Sequence, residues 1–156
     1  MRYLLIDKIT YLDPGKEIRA IKSVTLSEDI FAQHFFGYPV LPGALLIESM
    51  AQAGTALLEY SSQFTRKALL VMVDQTKFRE LVRPGDQLEI VAQIISGSEQ
   101  SAKLIGEIQV KQKRVMEGQF VFVLKEADRF YPKKSKYMME TIYDIWLENT
   151  EIKSGK

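Results

Sequence analysis

The chain contains no cysteine and only one histidine, His34. Without cysteine there is no disulfide framework, no thiolate nucleophile and no metal site built on thiolate ligands. This composition fits a reducing compartment such as the cytoplasm. Any step that needs an imidazole from this chain depends on His34.

The sequence also lacks an excess of either charge. Its 21 basic and 20 acidic residues create no overall field that would draw it to nucleic acid or to an anionic membrane. The N-terminal segment reaches Asp7 too soon for a signal peptide, and no stretch approaches the roughly 20 apolar residues of a membrane helix. With 156 residues, 46% of them hydrophobic, we expect one soluble domain that binds neither nucleic acid nor membrane.

The remaining pattern indicates one buried helix and several strands. Residues 42–60 are strong helix formers with apolar side chains on almost every face, so this helix belongs in the interior. A loop is expected over residues 27–41. Alternating or β-branched segments predict strands at residues 17–26, 68–76, 87–95, 102–111 and 117–125. This combination indicates an α+β fold in which a curved antiparallel sheet wraps around the helix.

The C-terminal part, residues 128–156, differs in character from residues 1–127. After Pro132 and three lysines, apolar residues are spaced as on a short amphipathic helix: Tyr137, Met138, Ile142, Ile145 and Trp146. We expect this helix to pack on its own domain. The alternative is a contact with a partner or another subunit, anchored by Trp146.

Two residues carry the strongest chemical signal. Glu48 lies in the apolar helix with no basic residue one turn away, so its carboxyl group is either desolvated, which suits a proton donor, or turned to solvent. His34 lies in a loop stiffened by Pro39 and Pro42, although a lone histidine is often structural. The helix start at Gly43 adds unpaired N–H groups that can polarise a carbonyl oxygen.

Three segments resemble one known family. HFFGYPVLPGALLIESMAQAG (residues 34–54) is similar to the signature of the FabZ-like (3R)-3-hydroxyacyl-acyl-carrier-protein dehydratases. LLIDKITYLDPGKEIRAIKSVT resembles the opening of that family, and KFRELVRPGDQLEI resembles its segment R-F-R-x-x-V-x-P-G-D-x-L. The resemblance spans about residues 3–125, and three ordered motifs are more specific than a lone histidine and glutamate.

The resemblance implies a fold, a reaction and an assembly. The fold is the hot-dog fold, and the reaction converts a 3-hydroxyacyl thioester on acyl carrier protein into a trans-2-enoyl thioester. The implied roles are His34 as catalytic base, Glu48 as catalytic acid and Gly43 as the N–H that holds the thioester oxygen. The implied assembly is a homodimer in which His34 of one subunit faces Glu48 of the other, and three dimers commonly form a hexamer.

No metal or redox cofactor is implied, because the substrate arrives on the phosphopantetheine arm of its carrier. An apolar acyl tunnel is expected, with Phe35, Phe36, Leu45 and Met50 as candidate linings. Because carrier proteins are acidic, Lys77, Arg79 and Arg83 are candidates for a docking rim, with ordinary solvated charges as the alternative. Phe78 is expected in the core or in an interface.

Two departures from the family pattern affect the loop around His34. Phe36 replaces the usual proline and Gln33 the usual glycine, which leaves the loop shape and the preferred acyl chain open. Two further functions stay open at this point. A thioesterase on the same fold would use His34 and Gly43 to direct water at the carbonyl carbon, and a binding module without turnover would keep only the acyl site.

Overall fold

The computed structural model describes the backbone of residues 3–130 and 133–154, and the side chains of residues 133–138 lie outside that description. A seven-stranded sheet is ordered β3-β6-β5-β4-β2-β1-β7. The elements are β1 (Lys8–Asp13), β2 (Glu17–Ser23), α1 (Gly43–Ser61), β3 (Arg66–Phe78), β4 (Gln87–Gly97), β5 (Ser101–Val110), β6 (Lys113–Glu126), α2 (Lys133–Trp146) and β7 (Glu151–Ile152). All strand pairs are antiparallel except β1 with β7. The α+β prediction is confirmed.

The alternation of apolar residues sets the faces of the central strands. In β4, Leu88, Ile90 and Ala92 are fully buried, while the residues between them face outward. The turn before β4 places Gly85 at φ +96°, a backbone conformation that other residues rarely adopt. Period-two burial therefore gives the sheet one apolar face, and α1 covers it.

Helix α1 lies unusually close to this face because glycines stand at the contact. A Cβ atom at Gly54 would come within 2.9 Å of the Phe122 ring, and one at Gly106 would collide with the side chain of Met50. Met50 is 1% exposed and fills the core between α1 and β5. The structure thus places this predicted tunnel residue on the sheet side of α1, opposite the side that carries Glu48.

Several predicted bounds were wrong at the ends of the strands. Strand β2 ends at Ser23 instead of residue 26, because the chain enters a turn there in which the N–H of Glu28 donates to Thr25 O at 3.1 Å. Strand β3 is longer than predicted and contains two register shifts. Strands β1 and β7 were not predicted, since β1 has a bulge that breaks its alternation and β7 has only two residues.

The C-terminal segment contributes to the core. Trp146 and Tyr143 of α2 are 8% and 7% exposed, and the Trp146 indole donates to Ile6 O at 3.0 Å. Ile142 is half-buried, whereas Ile145 is 57% exposed, so the buried stripe of α2 excludes Ile145. The predicted contributions of Tyr137 and Met138 lie outside the described side chains. Within the described ranges, no helix is both long and apolar enough to span a bilayer.

Candidate active site

The loop that carries His34 is held by its own backbone. The N–H of His34 donates to Ile30 O at 3.1 Å, and the N–H of Val40 donates to His34 O at 3.0 Å. Between these bonds, Phe35 and Tyr38 exchange two backbone hydrogen bonds around Gly37, whose φ is +75°. The His34–Phe35 peptide bond is cis. The backbone hydrogen bonds fold the loop back on itself, with His34 at the start of the resulting turn.

The position of the His34 ring defines which nitrogen is available. Its Nδ1 lies 2.8 Å from Val40 O, and a carbonyl oxygen can only accept, so Nδ1 carries the proton of the neutral ring. The ring is half-buried and stacks on Phe35 with a centroid distance of 4.1 Å. Nε2 is therefore left with a lone pair that can accept a proton.

Helix α1 begins directly after this loop. Pro42 is the N-cap residue, Gly43 is the first helical residue, and the N–H groups of a first helical turn have no partner inside the helix. A Cβ atom at Gly43 would lie 2.9 Å from the Phe78 ring, so that half-exposed ring rests against the helix start. The N–H of Leu41 donates to Val82 O at 2.8 Å and fixes the entry of the chain.

Glu48 lies on the second turn of α1 and is half-buried. Its partner is a neutral amide one turn later, since Gln52 Nε2 donates to Glu48 Oε1 at 3.0 Å. Gln52 is fixed in turn by the N-terminal segment: its Nε2 also donates to Tyr3 O at 3.0 Å, and its Oε1 accepts from the N–H of Leu5 at 2.8 Å. The sequence offered no signal for this role of Gln52, because Tyr3 and Leu5 are remote in the chain.

His34 and Glu48 share no hydrogen bond or ion pair within the described part of a single chain. The predicted acyl-path residues are also dispersed. Phe35 and Phe36 are 55% and 97% exposed, Leu45 is half-buried, and Met50 belongs to the core described above. One chain by itself therefore does not close an acyl site around the imidazole.

The three candidate docking cations differ in their surroundings. Lys77 is exposed on β3, and Arg79 is paired with Glu117. The hydrogen bond from Arg79 lowers the pKa of the Glu117 carboxyl, and Arg114 lowers it further against the opposing effect of burial. Arg83 lies with its guanidinium 4.4 Å from the centroid of the Tyr38 ring, next to the His34 loop.

The most deeply buried carboxylate of α1 is one that sequence reasoning missed. Glu59 is 2% exposed, Lys67 Nζ lies 2.7 Å from its Oε1, and the Tyr143 hydroxyl donates to its Oε2 at 2.9 Å. Ala68 N also approaches Oε1 at 3.4 Å. Glu59 looks like an ordinary helix charge in the sequence, because its partners come from β3 and α2.

The fold defines the class of this protein. A hot-dog-like protein from Thermanaerovibrio acidaminovorans superposes with a TM-score of 0.61 at 15% identity, over 82% of this chain and 91% of that chain. At this identity the likeness concerns the fold alone. The predicted hot-dog fold is confirmed.

The sequence defines the family more closely. The FabA-like domain family matches residues 1–122, and the chain belongs to that family. Proteins named 3-hydroxyacyl-acyl-carrier-protein dehydratase FabZ are similar to it. The one from Pediococcus pentosaceus is 38% identical over 127 residues, which covers 81% of this chain and 85% of that protein. The one from Halalkalibacterium halodurans is 38% identical over 124 residues, covering 79% and 89%. The predicted resemblance is confirmed.

Proposed function

We propose that this protein removes water from (3R)-3-hydroxyacyl thioesters on acyl carrier protein and forms trans-2-enoyl thioesters for fatty-acid synthesis. The observation that carries the proposal is the orientation of His34, whose Nδ1–H is held by Val40 O so that Nε2 is free to accept a proton. Its position just before the start of α1 and the similarity of the chain to proteins named 3-hydroxyacyl-acyl-carrier-protein dehydratase support the same reaction.

The proposed chemistry moves two protons and breaks one carbon–oxygen bond. His34 Nε2 takes the proton from C2 of the substrate while the N–H of Gly43 stabilises charge on the thioester oxygen. The electron pair left on C2 forms the C2–C3 double bond, and the C3 hydroxyl leaves as water with a proton from the protonated carboxyl of Glu48. His34 then holds one extra proton and Glu48 lacks one, so transfer of a proton through solvent restores both.

The two catalytic side chains come from different subunits in this proposal. His34 of one chain faces the partner's Glu48, and a homodimer therefore contains two composite sites. The edge position of β3 supports this arrangement, because Val71 and Met72 are 57% and 49% exposed there and the outer backbone groups of an edge strand can pair with a second copy. Three such dimers are proposed to form a hexamer.

The same proposal covers the cofactor requirement, the cellular compartment and the docking of the carrier protein. The two proton transfers use side chains of the protein, so we propose that it needs no metal or redox cofactor and works in the cytoplasm. An acidic carrier protein would dock beside the His34 loop, where Arg83 lies over Tyr38. Of the three predicted docking cations, Arg79 is the least suited, because Glu117 already neutralises it.

A product assay tests the reaction. Purified protein is incubated with 3-hydroxyacyl carrier-protein thioesters while ultraviolet absorbance of the enoyl thioester and release of free thiol are both followed. We expect enoyl absorbance without free thiol. Free thiol without enoyl absorbance would identify a thioesterase. If neither signal appears at saturating substrate, the protein would be an acyl-binding module without turnover.

Subunit mixing tests the composite site. The variants His34→Ala and Glu48→Gln are each expected to be inactive, but exchange of subunits creates dimers in which one site keeps both native side chains. Mixing should therefore restore activity to two inactive preparations. If the mixture stays inactive while subunit exchange is verified by native mass spectrometry, both residues act within one chain.

A further inference from the structure

The segment between β3 and β4 is hydrogen-bonded to the loop that precedes α1. The N–H of Leu41 donates to Val82 O at 2.8 Å, and Arg83 Nε donates to Pro39 O at 3.4 Å. The guanidinium of Arg83 also lies 4.4 Å from the centroid of the Tyr38 ring, within the range of a cation–π contact. Two neighbouring residues of this segment therefore hold the end of the loop.

The peptide unit that joins Val40 to Leu41 connects this segment to the imidazole. Its N–H is the group bonded to Val82 O, and its carbonyl oxygen lies 2.8 Å from His34 Nδ1. Because a peptide unit is planar, a contact that fixes its N–H also fixes the direction of its carbonyl. This carbonyl decides which nitrogen of His34 carries the proton.

The preceding peptide unit, from Pro39 to Val40, connects Arg83 to the backbone of His34. Its carbonyl oxygen accepts from Arg83 Nε, and its N–H donates to His34 O at 3.0 Å. Because the two peptide units share Val40, displacement of the first one changes the direction of the second carbonyl. Arg83 therefore acts indirectly on the oxygen that holds the imidazole.

The first half of the loop has little support from its own side chains. Residues 35–38 contain no proline, and Gly37 is at φ +75°. In a single chain, Phe35, Phe36 and Tyr38 are 55%, 97% and 49% exposed. Exposed side chains add little packing, so a contact from outside the loop has more weight in fixing its shape.

Arg83 itself starts from a fixed backbone. Its N–H donates to Asp86 Oδ2 at 2.9 Å, and the next residue is Pro84, whose φ is restricted. The N–H of Gly85 donates to Val24 O, and the N–H of Val24 donates to Asp86 O, both at 2.9 Å. The turn that carries Arg83 is thus attached to the end of β2 and can serve as a rigid support.

We propose that Arg83 is a positioning residue that keeps His34 in the tautomer with a free Nε2. This role rests on the proposed function, in which Nε2 takes the proton from C2 of the substrate. Without the Arg83 contacts, the Val40 carbonyl can turn away from Nδ1. The ring then also populates the other tautomer, in which Nε2 carries a proton and cannot accept one.

Kinetics on two thioesters with the same 3-hydroxyacyl group separate positioning from docking. One thioester is on acyl carrier protein, and the other is on N-acetylcysteamine, which lacks a carrier. Arg83→Met should lower kcat about three- to tenfold on both, the range expected for an exposed cation–π contact and one long hydrogen bond. A role in docking alone would raise KM for the carrier substrate and leave the small substrate unaffected.

The matched control is a second arginine stacked on a tyrosine. Arg19 of β2 lies with its guanidinium 5.1 Å from the centroid of the Tyr11 ring on β1. Arg19→Met makes the same chemical change on the sheet, so kcat and KM should stay at wild-type values on both thioesters.

The single histidine of the chain allows a direct readout of the tautomer. In NMR spectra of protein with isotope-labelled histidine, one imidazole shows which nitrogen carries the proton, in mildly alkaline solution where the ring is neutral. The wild-type protein should show Nδ1–H, and Arg83→Met should shift the signal toward the Nε2–H form. Tyr38→Ala should shift it in the same direction, because the ring under the guanidinium is lost, whereas Tyr38→Phe should keep the wild-type signal.

An unchanged tautomer signal in Arg83→Met would refute the inference, even if KM for the carrier substrate rises. An unchanged kcat on both thioesters would also refute it. If Arg83→Met does not fold, the same two measurements on Tyr38→Ala decide. Failure of the wild-type protein to form an enoyl thioester would refute the proposed function, whereas the NMR signal would still show whether Arg83 holds the ring.

Discussion

The two ends of α1 carry the same residue type in opposite environments. Near the start, Glu48 is half-buried and its partner is the neutral amide of Gln52. Near the end, Glu59 is 2% exposed and its partners are the Lys67 ammonium and the Tyr143 hydroxyl. The comparison teaches that position on an apolar helix does not determine what a carboxylate does. The segments that pack against each end decide it. We call the end of α1 that carries Glu48 the open end and the end that carries Glu59 the closed end.

The difference has a physical basis in desolvation. A fully buried carboxylate is tolerated only with hydrogen bonds and an opposite charge, and removing one partner leaves the other group without compensation. Glu59 therefore contributes to stability by joining α1, β3 and α2. Glu48 has no contact with a cation within the described part of a single chain, and Gln52 orients it at the open end of the helix. That arrangement suits a group that exchanges a proton.

The largest expected effect is on turnover at the open end. Glu48→Gln should lower kcat by about 10²- to 10⁴-fold, because the amide cannot donate the proton that the leaving hydroxyl needs. His34→Ala should lower it by a similar factor through loss of the base. Steady-state rates on a 3-hydroxyacyl carrier-protein thioester measure both effects. Dehydration at the wild-type rate by either variant would remove the role assigned to that residue.

The next effect is on stability at the closed end. Glu59→Gln should reduce the free energy of unfolding by about 2 kcal/mol, because Lys67 loses its contact with the Glu59 charge, and the partial exposure of Lys67 limits the cost. This corresponds to a drop in Tm of about 4–8 °C for a chain of this size.

Glu48→Gln is the matched control for stability, since it makes the same chemical change on the same helix. It should alter the free energy of unfolding by no more than about 0.5 kcal/mol. Calorimetry of both variants measures the difference between their free energies of unfolding. If Glu48→Gln is the more destabilising of the two, the assignment of chemistry to one end and stability to the other is wrong.

A smaller effect is expected at the start of α1. In Gly43→Ala the new methyl group would lie 2.9 Å from the Phe78 ring and push it aside, which the half-exposed ring can accommodate without unfolding. We expect kcat/KM to fall about tenfold, as the displaced ring crowds the N–H that holds the thioester oxygen. Replacing the ring with the smaller leucine side chain, in the double variant Gly43→Ala with Phe78→Leu, should recover part of the lost kcat/KM. No recovery would mean that the methyl group acts by another route.

The smallest effect concerns Glu117, a half-buried carboxylate on the outer sheet face. Arg79 and Arg114 lower the pKa of Glu117, so its stabilising contribution is present above the ordinary pKa of a glutamate and is lost as the pH falls through the lowered value. Glu117→Gln should therefore lower Tm slightly at neutral pH and leave it unchanged in strong acid. Thermal unfolding across pH measures this. An equal deficit at every pH would indicate a packing role instead.

The sequence predicted the open end of α1 well because its features are local. The helix was placed at residues 42–60 and is observed at Gly43–Ser61, and the loop around His34 was expected from Pro39, Pro42 and Gly37. The strands with regular alternation were also placed correctly to within a few residues. The roles of His34, Glu48 and Gly43 remain predictions, since they depend on a second subunit and a substrate.

The closed end was not predicted because its partners are distant in the chain. Tyr143 is 84 residues from Glu59, and Trp146 is 140 residues from Ile6, whose carbonyl its indole contacts. Strand β7 pairs with β1 through only two residues, which is too short for a periodic signal. Tertiary contacts therefore decided which glutamate is buried and where the C-terminal helix lies.

The sequence by itself determined the helix, the alternating strands and the loop that presents the only imidazole, because backbone preferences and hydrophobic period act over a few residues. Only the tertiary structure decided that β3 is an edge strand, that Gln52 orients Glu48 and that Glu59 is hydrogen-bonded by Tyr143 of α2. Those outcomes depend on the free energy of packing segments that are distant in the chain. A local sequence pattern does not predict that free energy.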